Sequence, residues 1–276
     1  MRTPTFSINN LFLIVLPSLL GSHTSKAQIS SSRVDLKNVQ GDVIIGLQKR
    51  QEAFWFGTLR SDPSSIEGFR KNLKTHLLPL ITTTQGVIDA QKVIDDHQRK
   101  QKKGEAKQWL PITHVNLGFA YNGLKKLGLK PEEIPTGKDG VFSKVNTIDF
   151  VVLITAPDSN LLNQKLHQVR KMFNGYLSHS FLRQGNVRPG DQYANEHFGF
   201  PDAISMAKIK GVNARAEDRK AGIVEPGVIL LGYPSANGNS TAPDANQAWL
   251  KDGSFMAFRE LRQLVPEFHH FCDETC

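Results

Sequence analysis

The stretch DFVVLITAPDSNLLNQKLHQVRKMFNGYLSHSFLR, Asp149 to Arg183, decides the fold. Asp149 to Thr155 is a short apolar run rich in Val and Ile, the pattern of a buried strand. Ser159 to Phe173 then carries Leu162, Leu166, Val169 and Phe173 on one face of an otherwise polar helix. His179 to Arg183 reads as strand again. Upstream, the same unit recurs. Ala53 to Leu59 is strand-like. Asp62 is a helix cap with Pro63 at the first helical position, and Ile66, Phe69, Leu73, Leu77 and Leu80 follow at helical spacing. Ile112 to Phe119 alternates like a strand.

Strand, helix, strand, strand, helix, strand is the split βαβ order, the ferredoxin-like plan. The expected fold class is α+β, an antiparallel sheet with helices on one face. Its other face needs a cover, often a second such sheet. Smaller elements read as a strand at Val43 to Leu47, a polar helix at Val87 to Ile94, a short helix at Tyr121 to Leu129 and a loop at Pro131 to Lys144. After Pro234 the chain reads as loop. Gly253 to Arg259 then reads as a strand opening a second half, followed by helix from Glu260 to Pro266. Few residues follow, so this second half is expected to be incomplete.

The 276 residues, 39% of them apolar, suffice for one large domain or two small ones. The net charge of +8 comes with no Lys/Arg stripe interleaved with aromatics, so no nucleic-acid partner is expected. The basic run His97 to Lys103 reads as a solvated helix end or loop. Arg2, the apolar run Leu11 to Leu20 and the small-residue exit Ser25-Lys26-Ala27 form the pattern of a secretory signal peptide over residues 1–27. Its removal takes away Arg2 and Lys26 and no acid, lowering the charge from +8 to +6. No other segment reads as membrane-spanning, so the expectation is a secreted, extracellular protein without a membrane partner. The sequon Asn239-Ser240-Thr241 agrees. Cys272 and Cys276 have no second pair to complete a zinc site, and no metal ligands are assigned.

One carboxylate is held in a tight, apolar stretch: EHFGFPDAIS, Glu196 to Ser205. The residue types alone allow an ordinary turn, or Asp202 capping a helix that starts near Ala203. They also allow a carboxylate placed beside a cofactor to move protons.

Five blocks in order carry a resemblance. They are Asn38-Val-Gln-Gly-Asp-Val-Ile-Ile-Gly46; Val115-Asn-Leu-Gly-Phe119; Glu196 to Ser205; Glu225-Pro-Gly-Val-Ile-Leu-Leu-Gly-Tyr-Pro234; and Asp252 to Leu261 with Val265 to Phe268. Together they resemble the fungal dye-decolorising peroxidases, haem enzymes built from two ferredoxin-like halves (the dimeric α/β barrel type). The family pattern G-x-x-D-G reads here Gly199-Phe200-Pro201-Asp202-Ala203, with alanine in the last place.

The resemblance implies that Asp202 sits on the distal side of haem b and shuttles a proton between the oxygens of H2O2. It also implies that Gly199, Asp202, Ala203, Ile204 and Ser205 border the cofactor. H2O2 and dyes, phenols or lignin-like aromatics are the implied partners. Residues 28–234 then form the first half and residues 235–276 the start of the second. The iron-binding histidine and distal arginine of the family lie, by resemblance, beyond the last block. Arg259, His197, His269 and His270 match neither motif. Two alternatives stand beside the enzyme: an inactive truncated fragment, and a non-enzymatic ferredoxin-like module that forms a homodimer sheet to sheet, with Cys272 and Cys276 available to link chains.

Overall fold

Four strands pair in the order the sequence implied. A computed structural model describes residues 11–15, 33–47, 50–101, 108–136, 147–201, 207–214, 222–235 and 245–275. Within it, β2 (Gln51–Leu59), β3 (His114–Phe119), β4 (Phe150–Ala156) and β5 (Leu177–Asn186) lie in the order β5-β2-β4-β3. Every pairing among them is antiparallel. Helix α1 (Pro63–Asn72) follows β2, and α4 (Ser159–Met172) follows β4. This is the ferredoxin-like arrangement. Between these elements lie α2 (Thr84–Lys100) and α3 (Tyr121–Lys126).

Local chemistry sets the helix ends. Asp62 Oδ1 accepts from the Ser65 N–H at 2.9 Å, with Pro63 inside the first turn. Asp158 Oδ1 does the same for Leu161 at 2.9 Å. α3 closes with Gly128 N–H on Lys125 O and Leu129 N–H on Leu124 O, and Gly128 carries φ +98°.

All seven β4 residues are buried, because both sheet faces are covered there. The helix-side core gathers Trp55, Phe69, Phe150 and Phe173, with the Phe69 and Phe173 rings 4.6 Å apart. Each such ring contributes about 1.5–3 kcal/mol by leaving water. Gly57 is required beneath Phe150, since a Cβ there would lie 2.3 Å from its ring.

The opposite face of the sheet is covered in part, as the sequence reading required of it. α2 and the 39–47 segment cover one end of it, where Val87 and Leu47 pack on Leu153. The remainder is an aromatic patch of Phe54, Phe56, Phe181 and Phe258, with Phe56 and Phe181 stacked at 4.8 Å. Val43 to Leu47 is a turn rather than a strand. Asp42 adopts φ +64° and its carboxylate accepts from Leu47 N–H at 3.2 Å, curling the apolar run onto the sheet.

Two further strands extend the sheet beyond β3: β1 (Leu11–Val15) and the edge strand β8 (Ser254–Phe258). β1 lies antiparallel to both, with Leu11 opposite Phe258, Val15 opposite Ser254 and Ile14 opposite Phe119. The apolar run read as a leader thus supplies a strand, and Ile14 is fully buried. A small parallel pair, β6 (Lys208–Ile209) and β7 (Ile223–Val224), stands apart. Residues 259–264 are not helical; α5 (Val265–Thr275) begins where the helix was expected to end. Pro266 was read as a stop but sits in the first turn, where its missing N–H costs nothing.

Candidate functional site

Beyond β5 the chain passes Arg188 and a 3₁₀ turn, Gly190–Ala194, into a hairpin built around Glu196. The Glu196 carboxylate accepts from Phe198 N–H at 2.7 Å and from Phe200 N–H at 2.8 Å. Its own N–H donates to Phe200 O at 2.9 Å, and Gly199 N–H returns to Glu196 O at 3.0 Å. Asn195 and Pro201 close the hairpin as an antiparallel bridge, and Asn195 Nδ2 donates to Gly199 O at 3.0 Å. Gly199 has φ +104°. A side chain there is strained, which accounts for the glycine that opens the GxxD pattern.

The hairpin ends at Pro201. Asp202, Ala203, Ile204 and Ser205 lie outside the described residues, so the structure places Gly199 alone from the expected set. Phe198 is 39% and Phe200 57% exposed: the apolar neighbourhood faces outward rather than into the core. His197 is exposed as well.

The sequence reading assigned no arginine to this region; the structure supplies two. Arg188 Nη1 donates to Glu196 O at 3.4 Å. The Arg50 guanidinium lies over the Trp109 ring, 4.3 Å from its centre. With Tyr193 they border a cleft of about 480 Å³. Arg188 stands eight residues before Glu196, but no spacing rule marks it. Arg50 comes from the far end of β2's approach and is legible only in three dimensions.

His114 is 5% exposed. Burial pushes its pKa below the ordinary 6.5, while the charge of Asp42 pulls the other way. It borders a cavity of about 20 Å³, room for a single water. The other described histidines are exposed or, at His97, half-buried. His270 Nε2 meets Glu274 Oε1 at 3.2 Å on the surface of α5. Arg259 is exposed. Among the described residues no three His, Cys, Asp or Glu side chains converge as a metal site.

The first and last sequence blocks are tied together. Asn38 Nδ2 donates to Asp252 Oδ2 at 2.9 Å, and Tyr233 Oη donates to Asp252 Oδ1. Burial and that carboxylate push the Tyr233 phenol well above its ordinary range.

Residues 38–145 match the family model described as the DyP dimeric alpha+beta barrel domain. The chain is 30% identical over 278 residues to dye-decolorizing peroxidase msp1 of Mycetinis scorodonius, covering 94% of this chain and 49% of that protein. Peroxidase 2 of the same organism is 30% identical over 98% of this chain and 51% of its own length. The chain belongs to the dye-decolorising peroxidase family. Solved members share the fold. An ancestral D-type dye decolorizing peroxidase superposes with TM-score 0.68 at 33% identity, over 88% of this chain and 52% of that one. A variant of the Pleurotus ostreatus dye-decolorizing peroxidase gives 0.70 at 28% identity, over 88% and 53%. The chain spans about half the length of the curated relatives it matches.

Dye-decolorising peroxidases are haem enzymes, and the described residues do not by themselves fit a haem. Among the described residues the one buried imidazole, His114, opens on a cavity of about 20 Å³, against roughly 300–1,000 Å³ for a small-molecule site. No other described histidine lies in an enclosed apolar cavity. No helix among the described residues is long and apolar enough to cross a membrane.

Proposed function

We propose that this chain is the Asp202-bearing part of a secreted haem peroxidase that uses H2O2 to oxidise dyes, phenols or lignin-like aromatics. The observation that supports the reading is the Gly199 hairpin, whose left-handed glycine and Glu196 brace hold the first residue of the GxxD pattern in a defined turn. Family membership supports the chemistry.

In this reading the Asp202 carboxylate takes a proton from one peroxide oxygen and returns it to the other as the O–O bond breaks. Proton transfer of this kind contributes about 10²–10⁴-fold. Gly199, Ala203, Ile204 and Ser205 are the proposed border of the cofactor, haem b. Its axial ligand is proposed to come from outside the described residues, and no step is routed through the iron. Residues 28–234 are the proposed first ferredoxin-like half and residues 235–276 the opening of the second. Secretion is proposed through cleavage after Ala27, which takes β1 away with the leader and leaves the four ferredoxin-like strands β2 to β5 in place.

The test joins residues 28–276 to the remaining half of the Mycetinis scorodonius msp1 protein and measures H2O2-dependent dye oxidation. Asp202→Asn is expected to lower turnover by about 10²–10⁴-fold with the haem spectrum unchanged. Unchanged turnover would overturn the role of Asp202.

The homodimeric module is favoured by one observation: Phe54, Phe181, Met256 and Phe258 are only partly buried on the second sheet face. Light scattering on the purified chain tests it. A monomer at all concentrations removes this reading.

A further inference from the structure

A second cleft, on the helix side of the sheet, has a cationic rim. It lies between the C-terminal end of α4 and the outer edge of β5 and measures about 580 Å³. Its rim carries Arg170 and Lys171 from α4, with His167 one turn earlier and His179 across on β5. Asn163, Asn174, Ser178 and Ser180 add neutral polar groups, and no Asp or Glu lines it. Among the described residues, neither Arg170 nor Lys171 is held in an ion pair.

The floor is different in character. Trp55, Leu166 and Phe173 are core residues that also border the cleft. Trp55 is 2% exposed, and its indole Nε1–H has no hydrogen-bond partner. A buried donor left unpaired destabilises the fold. Such a group in a native fold calls for an explanation.

The wall formed by β5 is an edge strand among the described residues, and none of these pairs its outer backbone groups as a further strand. The pairing with β2 is also irregular at this point, shifting register between Thr58 and Leu59 opposite Ser178. Bulges of this kind gather beside binding sites and re-aim side chains.

We infer that this cleft binds a small aromatic carboxylate, its ring against the Trp55, Leu166 and Phe173 floor and its carboxylate on Arg170 and Lys171. An apolar base with a few convergent polar groups is the usual form of a small-molecule site. Guanidinium and ammonium groups supply charge-assisted hydrogen bonds to the anion. One oxygen of the same carboxylate is the acceptor for the Trp55 N–H. The inference is independent of Asp202 and of haem, and the cleft has no residue in common with the hairpin that precedes Asp202.

The experiment titrates the purified chain with benzoate and, separately, with inorganic phosphate, following the ¹⁵N-labelled indole N–H signals by NMR. Saturable benzoate binding that moves the Trp55 signal is expected, with Trp55→Phe used to assign that signal. Arg170→Ala with Lys171→Ala, both at exposed positions, should weaken binding at least about tenfold, the loss of one charge-assisted hydrogen bond. Saturable phosphate binding with no benzoate response would replace the aromatic carboxylate by a simple anion and overturn the ligand class. No saturable response to either probe, or benzoate binding unaffected by the double variant, would overturn the site. In that event Arg170 and Lys171 would serve only to complement the α4 C-terminus.

Discussion

The Gln40 side chain hydrogen-bonds both backbone groups of Leu117. Its Oε1 accepts from Leu117 N–H at 2.8 Å and its Nε2 donates to Leu117 O at 3.0 Å. One amide thus occupies the β3 edge in place of a partner strand, at a point that β1 does not reach. Asn116 Nδ2 adds a bond to Gln40 Oε1 at 3.1 Å, and Gln40 is 2% exposed.

Gln40→Ala therefore strips two buried backbone groups of their partner. Each group left unpaired costs about 1–3 kcal/mol. Urea melts should show this loss. Gln85→Ala, an exposed side chain bonded to Asp89, should stay within about 0.5 kcal/mol of the parent. Equal stability of the two variants would remove Gln40 as the edge cap.

Asp149 is 1% exposed, and its Oδ2 accepts from Lys126 Nζ and from Leu59 N–H, each at 2.7 Å. Lys126→Met leaves a buried carboxylate without its cation, a change that costs about 3–5 kcal/mol. Lys92→Met breaks only a surface pair with Asp89, worth about 0–1 kcal/mol. Thermal melts of the two variants should separate clearly.

His114 gives the fold a pH dependence of known sign. Its folded pKa lies below the ordinary 6.5, so the unfolded chain takes the proton first. The stability it contributes is complete above pH 6.5 and is lost as pH falls toward the folded pKa. Denaturant midpoints between about pH 8 and pH 5 should fall less steeply in His114→Phe than in the parent. Parallel profiles would exclude His114 as the source.

Gly199→Ala places a side chain at φ +104°. The strain is about 1–2 kcal/mol. It should appear as faster amide exchange at Phe198 and Phe200, whose N–H groups Glu196 holds. Unchanged exchange would mean that the hairpin does not need its glycine.

The four-strand order was legible because β4 and α4 obey simple periodicities: a continuous Val/Ile run, then Leu162, Leu166 and Val169 on one face. Val43 to Leu47 was not. An apolar run looks the same to composition whether it lies flat in a sheet or curls, and Asp42 at φ +64° makes it curl. Pro266 misled for a similar reason, since proline stops one helix and starts another. The role of Gln40 leaves no pattern at all, because a side chain standing in for a strand has no period. At the candidate site, Gly199 was legible as a motif glycine, and its φ accounts for it. Arg50 and Trp109 meet only through the fold.

We propose that this chain supplies the proton carrier, Asp202, of a dye-decolorising peroxidase, while the described residues offer haem iron no seat. The deciding measurement is haemin titration of purified residues 28–276, read by absorbance. A broad free-haemin spectrum with no defined stoichiometry is expected. A sharp Soret band saturating at one haem per chain, and lost on replacing one histidine, would contradict it.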